Sequence, residues 1–195
     1  RCCAIMPSEH GPLTSDTLLS AYIRGIFPMA HHDGELYWHD PDPRAIFVLN
    51  ELIPNSRTQR FFRNKGYGTT VNTRFEQVIR ACANREECWL TEEMIAAYID
   101  LHKKGFALSV ETWEMGELIG GIYGVNIGNA FFFFFLFSRK PNASKAAFYR
   151  LAEFLRSENY TLFDTQYMND HTRMLGAIEI PRADFRVLLS EALPA

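Results

Sequence analysis

Asp164 and Gln166 are the residues whose chemistry and spacing stand out in this chain. They close an apolar segment, residues 161–166, that is typical of a β-strand. Because strand side chains alternate between faces, two residues that lie two positions apart point to the same side of a sheet. A carboxylate and an amide held together at a strand end can orient a nucleophile and relay a proton.

The spacing of apolar residues predicts an α+β order of elements around this strand. Capping and helical spacing predict a helix that begins at Thr14 or Ser15, one over residues 75–82 and one capped by Thr91. A period of two predicts three strands, at residues 106–113, 118–125 and 130–137, the first two joined as a hairpin. A helix (about 143–157), the strand 161–166, a short helix (170–175), a strand (177–180) and a last helix (182–193) follow.

The chain of 195 residues is long enough for one domain with a sizeable core and a small appendage. Turn-forming residues are frequent before a short strand predicted at residues 45–49. We therefore expect a small N-terminal subdomain over residues 1–60 and a larger domain over residues 61–195.

Composition excludes several classes of protein. A hydrophobic content of 47% with 22% charged residues is ordinary for a globular chain, and the longest apolar run, residues 130–137, is far shorter than a membrane span. The N-terminus has no long apolar stretch typical of a signal peptide, so a cytoplasmic protein with no membrane partner is expected. The four cysteines show neither CxxC pairing nor zinc-ligand spacing to histidine, so no metal is expected.

The net charge of −3 means that any contact with nucleic acid requires a local basic patch. One candidate patch holds Arg57, Arg60, Arg63 and Lys65, with two phenylalanines and no acid between them. Arg139, Lys140, Lys145 and Arg150 form a second candidate. Such residues dominate nucleic-acid binding, although the alternative, a solvated helix face, remains open for both.

Seven segments together resemble one bacterial enzyme family. They are AYIRGIFPM (21–29), YWHDPDPRAIF (37–47), WLT (89–91), SVETW (109–113), ELIGGIYGV (117–125), FSRKPNASK (137–145) and DTQYMNDHTRMLGAIEIPR (164–182). In this order they resemble the leucyl/phenylalanyl-tRNA–protein transferases, and the resemblance extends from residue 13 to residue 189. The element order also resembles the acyltransferase fold of the GCN5-related N-acetyltransferases, a mixed sheet with flanking helices.

The resemblance implies a reaction and two substrates. Leucine or phenylalanine, with methionine as a further option, would pass from aminoacyl-tRNA to the α-amine of a protein that begins with Arg or Lys, marking it for degradation. The ester is already activated and an α-amine has a pKa of about 7.7–8.0, so such an enzyme can act by positioning both substrates. The resemblance implies neither cofactor nor metal, and we expect a monomer.

The resemblance also implies roles for individual residues. Asp164 and Gln166 would orient the amine, and Trp89 would stack on the terminal base of the tRNA. An apolar pocket for the aminoacyl side chain would be formed by Ile122, Phe131, Leu136, Phe148 and Phe163. For each pocket residue, and for Trp89, packing in the core is an open alternative.

The chain departs from the family at Phe133, Phe134 and Phe135, where relatives carry Gly-Glu-Ser. Phe134 occupies the position of an acid implied to hold the basic residue of the acceptor, so we expect either weak or lost acceptor binding or a chain that uses Asp164 alone. One alternative is therefore a catalytically impaired relative that binds tRNA or peptide. An acetyl-CoA-dependent N-acetyltransferase is a second, although the phosphate-binding pattern that begins at Arg173 fails at Ile178, and a cysteine hydrolase is the weakest.

Overall fold

The computed structural model describes residues 4–7, 13–30, 35–84 and 90–194, the first of these ranges in its backbone only. Trp89, implied above to contact the terminal base of the tRNA, lies outside these ranges. Within them the chain forms two β-sheets, helices on both faces of the larger sheet and two apolar cores.

The smaller sheet has three antiparallel strands in the order β1–β3–β2. These are β1 (Ala4–Pro7), β2 (Phe27–Ala30) and β3 (Leu36–His39). Helix α1 (Ser15–Ile23) precedes β2 and begins at Thr14, whose side chain accepts a hydrogen bond from the Thr17 N–H in a capping box. The helix start predicted from Thr14 is confirmed.

The larger sheet has seven strands in the order β10–β4–β9–β8–β7–β6–β5. Their bounds are β4 (Arg44–Phe47), β5 (Gly68–Val71), β6 (Ala107–Glu114), β7 (Glu117–Ile127), β8 (Ala130–Ser138), β9 (Leu162–Gln166) and β10 (Ile178–Ile180). Only β8 and β9 pair in parallel, because α5 connects them as a crossover; the other neighbouring pairs are antiparallel.

Six further α-helices and a short 3-10 helix (Leu49–Glu51) complete the described fold. The α-helices are α2 (Ser56–Lys65), α3 (Phe75–Ala83), α4 (Glu92–Lys103), α5 (Ala143–Ser157), α6 (Asp170–Met174) and α7 (Arg182–Ala192). Thr91 caps α4 by accepting from the Met94 N–H at 3.2 Å, as predicted.

The two faces of the large sheet bury separate apolar clusters. Helices α1, α3, α4 and α7 cover one face, where Tyr22, Tyr98 and Phe185 pack with Phe132 and Phe134. Helix α5 covers the other, where Phe148 and Leu151 pack with Ile122, Phe131 and Phe163. This division follows from the two-residue period of the strands, which sends successive side chains to opposite faces.

The predicted α+β class and the predicted elements from residue 75 onward are confirmed. Five strands and helices that the structure describes were not predicted, namely β1, β2, β3, α2 and β5, and neither was the short 3-10 helix. Each of the four strands has four residues, and α2 buries no residue, so none carries an apolar period long enough to indicate it. The closer correspondence to the GCN5-related fold stays a prediction.

Strand β4 lies inside the larger sheet, between β10 and β9. Residues from Arg44 onward thus contribute to the sheet of the larger predicted domain, while β1, β2 and β3 form a sheet of their own. The boundary expected near residue 60 stays a prediction.

Candidate active site

The C-terminal end of β9 carries a buried ion pair. Both oxygens of the Asp164 carboxylate accept hydrogen bonds from Arg44, Oδ1 from Nε at 2.8 Å and Oδ2 from Nη2 at 2.6 Å. Both side chains are fully buried. Such a bidentate pair has a fixed geometry, and each partner provides the countercharge of the other.

Gln166 follows two residues later, in an unusual backbone conformation. Its φ of 69° is left-handed, and its N–H donates to Asp164 Oδ1 at 3.0 Å. The side-chain amide is buried, and its Nε2 makes no hydrogen bond of ordinary geometry among the described residues and only a weak interaction with the Tyr22 hydroxyl. A left-handed backbone costs free energy outside glycine, and a buried orphan donor costs more, so both features are typical of functional sites.

Two tyrosines extend this cluster toward α4. The hydroxyls of Tyr22 and Tyr98 lie 2.8 Å apart in the core. Burial raises the pKa of Tyr22, with Asp164 adding to the increase and the Gln166 amide opposing it. Burial also raises the pKa of Tyr98 well above its ordinary value. Both hydroxyls are therefore neutral at physiological pH.

Strand β8 forms the wall between this cluster and an open cleft. The cleft has a volume of about 760 Å³ and lies between the C-terminal half of β8, the end of α3 and the start of α6. Its lining includes residues 133–139, Ser144, Asn169, His171 and Thr172. Neither Asp164 nor Gln166 is among the described residues that line it, and none of those lining residues is a carboxylate.

Phe134 occupies a β-bulge in this wall. Tyr123 on β7 pairs with Phe135 and Gly124 pairs with Phe133, so Phe134 is the extra residue. Its ring packs 4.7 Å from the ring of Tyr98 and 5.8 Å from that of Tyr123, measured between centroids. The position implied to hold the acceptor thus lines the cleft, as a phenylalanine that is only 7% exposed.

The N-terminus of α5 borders the same cleft through Ser138 and Ser144. The Ser144 N–H donates to Ser138 Oγ at 3.1 Å, whereas Asn142 makes no side-chain cap. A Cβ at Gly120 would lie 2.7 Å from the Ala143 backbone carbonyl carbon, so glycine is what allows this close approach of β7 and α5. The described backbone therefore brings the positive end of a helix to the cleft.

The five predicted pocket residues divide into two groups. Ile122, Phe131, Phe148 and Phe163 are buried together in the cluster beneath α5, where the rings of Phe131 and Phe163 lie 5.5 Å apart. Leu136 is half-buried, packs against the same cluster and also lines the cleft. The structure thus brings all five residues together, but of the five only Leu136 is among the described lining of the cleft, and their contact with an aminoacyl group stays a prediction.

The basic residues of the first patch lie along α2. Arg57, Arg60, Arg63 and Lys65 are all exposed. Phe61 packs edge-on against Phe62 and Tyr67 and supports the helix, which ends at Gly66 in a left-handed conformation. An exposed cationic face with aromatic side chains is compatible with a phosphate backbone.

Arg44 and Glu111 are buried charged residues that were not predicted to be important. Arg44 lies in the YWHDPDPRAIF segment, where the only signal was a cation among apolar residues. Glu111 is fully buried and accepts from the hydroxyls of Ser109 and Thr70, each at 2.6 Å, and from the Arg74 N–H at the start of α3. Since its oxygens are occupied by these donors, Glu111 stabilises the fold beside α3.

The described residues contain no group of three or more His, Cys, Asp or Glu side chains placed to hold a metal ion. Within the same ranges, every helix is too short or too polar to cross a bilayer.

The fold and the site define an α+β protein with a charged pair on a central strand, an aromatic-walled cleft and a basic helix. A family model described as leucyl/phenylalanyl-tRNA protein transferase matches residues 46–190, and the model of the N-terminal domain of the same transferase matches residues 11–42. The chain belongs to the leucyl/phenylalanyl-tRNA–protein transferase family.

Individual relatives agree with this membership. Proteins named leucyl/phenylalanyl-tRNA–protein transferase from Gloeobacter violaceus and Rubrobacter xylanophilus are each 46% identical over 93% of this chain, and the matches cover 94% and 95% of those proteins. A solved structure of a conserved protein of unknown function from Bacteroides thetaiotaomicron matches with a TM-score of 0.48 and 12% identity, over 70% of this chain and 54% of that one. The structural match is too distant to bear on function.

Proposed function

We propose that this protein transfers leucine or phenylalanine from aminoacyl-tRNA to the α-amine of proteins that begin with Arg or Lys. The observation that carries the proposal is the 46% identity, over nearly the whole chain, to proteins named leucyl/phenylalanyl-tRNA–protein transferase. The Arg and Lys acceptors are those that the family resemblance implies. Because the donor is an aminoacyl-tRNA, the reaction belongs in the cytoplasm, where the product carries a signal for degradation.

The reaction requires positioning more than activation. The amine nitrogen attacks the ester carbonyl carbon, a C–N bond forms, and the C–O bond to the terminal ribose breaks. The proton lost by the amine passes to the departing ribose oxygen, so the balance requires no other reactant. A neutral α-amine is available near pH 8 because its ordinary pKa is about 7.7–8.0.

We assign the direct contact with the amine to Gln166 and a supporting role to Asp164. The carboxylate is already engaged by Arg44 and by the Gln166 N–H. Gln166 Oε1 accepts from the amine N–H in this assignment, which leaves the amine lone pair free to attack. The Nε2 donor, which makes no ordinary hydrogen bond among the described residues, supports a second contact with a substrate acceptor, the ester carbonyl oxygen.

The donor tRNA has two supporting surfaces in this proposal. The exposed cations of α2 bind the phosphate backbone, and Trp89 stacks on the terminal base. Leu136 contacts the aminoacyl side chain from the cleft wall, with Ile122, Phe131, Phe148 and Phe163 beneath it. An apolar pocket separates leucine, phenylalanine and methionine only modestly, since one methylene is worth about 1–3 kcal/mol.

A second candidate is a relative that binds tRNA or peptide without efficient transfer. The observation that favours it is the cleft wall at Phe134, where no carboxylate of the described lining could pair with a cationic acceptor. A buried phenylalanine removes both the countercharge and the space for a guanidinium or ammonium group.

The test is transfer of labelled phenylalanine from Phe-tRNA to a peptide that begins with Arg, beside one that begins with Ala. Transfer to the Arg peptide alone, abolished in Gln166→Ala, is the expected result. Transfer by a Phe133→Gly/Phe134→Glu/Phe135→Ser variant but not by the parent would select the second candidate. The transferase proposal is abandoned if both proteins are inactive while each remains folded.

A further inference from the structure

We propose that Arg44 is a positioning residue for the transfer reaction, acting through Asp164 on the conformation of Gln166. The inference rests on the proposed function, because the reaction is the one in which Gln166 contacts the amine. Its physical basis is a contact between residues that are 120 positions apart in the chain.

All three nitrogens of the Arg44 guanidinium donate hydrogen bonds. Nε and Nη2 hold the two oxygens of Asp164, and Nη1 donates to the Gly25 carbonyl at 2.8 Å. Gly25 lies at the end of α1, so one side chain connects β4, β9 and the N-terminal helix. A guanidinium can make these bonds together because its donors lie in one rigid plane.

Two aromatic rings fix the orientation of that plane. The guanidinium carbon lies 4.8 Å from the centroid of the Phe27 ring on β2 and 4.2 Å from that of the Phe185 ring on α7. Both rings are fully buried. A lysine would keep the charge but would lose the bidentate geometry and most of the stacking.

The Asp164 carboxylate connects the fixed guanidinium of Arg44 to the backbone of Gln166. Asp164 Oδ1 accepts the Gln166 N–H, and that hydrogen bond stabilises the left-handed backbone of Gln166. The same backbone conformation determines where the amide of Gln166 lies. If Arg44 is lost, Asp164 is free to rotate, and the left-handed turn loses the contact that maintains it.

The consequence is a defect in the chemical step with substrate binding retained. Arg44 makes its described bonds to protein groups, so it is not expected to add to the affinity for tRNA or peptide. A displacement of the reacting groups by about 1 Å can reduce a rate by about 100-fold. Arg44→Lys is therefore expected to lower kcat by about that factor, with KM for Phe-tRNA little changed.

The experiment is a double-mutant cycle on kcat with Arg44→Lys, Asp164→Asn and the double variant. If Arg44 acts through Asp164, the double variant is no slower than the slower single variant. If the two losses multiply, or if Arg44→Lys raises KM and leaves kcat intact, the proposal is overturned. Arg186→Lys is the matched control, because it changes an arginine of α7 that pairs with Asp40 and is expected to keep full kcat.

A variant that retains the ion pair keeps the proposal testable if Arg44→Lys does not fold. Phe185→Leu removes one ring from the guanidinium and leaves Arg44 and Asp164 in place. We expect a partial decrease in kcat with unchanged KM and a cooperative unfolding transition. If Arg44→Lys does not fold, an unchanged kcat in Phe185→Leu counts against the proposal and a reduced one supports it.

An NMR measurement on the folded protein requires no catalysis, so it tests the positioning role of Arg44 independently of the proposed reaction. The backbone amide proton of Gln166 should resonate downfield because its acceptor is a carboxylate, and it should move upfield in Phe185→Leu. If the resonance moves in Phe185→Leu but the parent protein transfers no phenylalanine, the positioning contact exists and the proposed reaction is wrong. An unmoved resonance would reject the positioning role whether or not the parent transfers phenylalanine.

Discussion

The ring of Phe134 packs against the ring of Tyr98, with centroids 4.7 Å apart, and thereby separates the cleft from a buried pair of tyrosine hydroxyls. Phe134 stands at a β-bulge, a local irregularity that changes the direction of a side chain on an otherwise regular strand. Phe134 thus makes this part of the described cleft wall apolar, at the position that the family resemblance implies to hold the acceptor.

Phe134→Glu is expected to increase discrimination in favour of a cationic acceptor. A carboxylate about 4 Å from a guanidinium gains about 4 kcal/mol at an effective dielectric constant near 20, part of which is lost to desolvation. We expect kcat/KM for an Arg-initiated peptide, relative to an Ala-initiated one, to rise by at least about tenfold, equal to about 1.4 kcal/mol. The matched control is Phe134→Gln, which has the same size without the charge; equal ratios in the two variants would contradict an electrostatic role.

Leu136→Ala and Phe148→Ala should affect different properties. Phe148 is buried beneath α5, so its truncation should lower the free energy of unfolding by about 3–5 kcal/mol. Leu136 borders the cleft, so its truncation should cost less stability and change the relative kcat/KM for Leu-tRNA and Phe-tRNA. Urea denaturation and competition between the two donors measure these effects. A Phe148→Ala protein of normal stability with altered donor preference would instead identify Phe148 as part of the binding surface.

The α2 surface should contribute to tRNA binding in proportion to its charge. Removing two cations, in Arg60→Ala/Arg63→Ala, should weaken tRNA binding and reduce the slope of log K against log salt by about 0.7–0.9 for each lost phosphate contact. Filter binding between low and moderate salt measures that slope. The control, Arg24→Ala/Lys103→Ala, removes the same charge from exposed positions at the C-terminal ends of α1 and α4 and should leave the slope unchanged. Equal losses in both variants would show that net charge, not α2, is responsible.

The stability of the protein should fall at high pH because of Tyr22 and Tyr98. Burial raises the pKa of both hydroxyls in the folded state, whereas the unfolded chain ionises them near pH 10. The unfolded state therefore binds fewer protons above that pH, and each tyrosine reduces the free energy of unfolding by up to about 1.4 kcal/mol per pH unit. Below about pH 9 neither group contributes any pH dependence, since both are protonated in both states.

Urea denaturation between pH 9 and pH 11 tests this linkage, with Tyr22→Phe as the comparison. The free energy of unfolding should fall with pH in the variant less steeply than in the parent protein, by up to about 1.4 kcal/mol per pH unit. Comparing slopes removes the constant cost of the lost hydroxyl–hydroxyl contact. Parallel slopes for the two proteins would show that Tyr22 is not buried in the neutral form.

Local signals in the sequence determined most of the elements and the membership of the family. The period of two across β6, β7 and β8, the helical spacing of α3 and α5 and the caps at Thr14 and Thr91 depend on neighbouring residues only. The strand that ends in Asp164 and Gln166 could be read in the same way. Elements without a buried face, such as α2, give no such signal.

Only the tertiary structure decided what these residues contact. The insertion of β4 between β10 and β9 brings Arg44 to Asp164, and no local period encodes a pairing across 120 positions. The bulge at Phe134 likewise depends on the register between β7 and β8. Both outcomes arise from the packing of distant segments, in which burial requires each charge to find a partner and each strand a register.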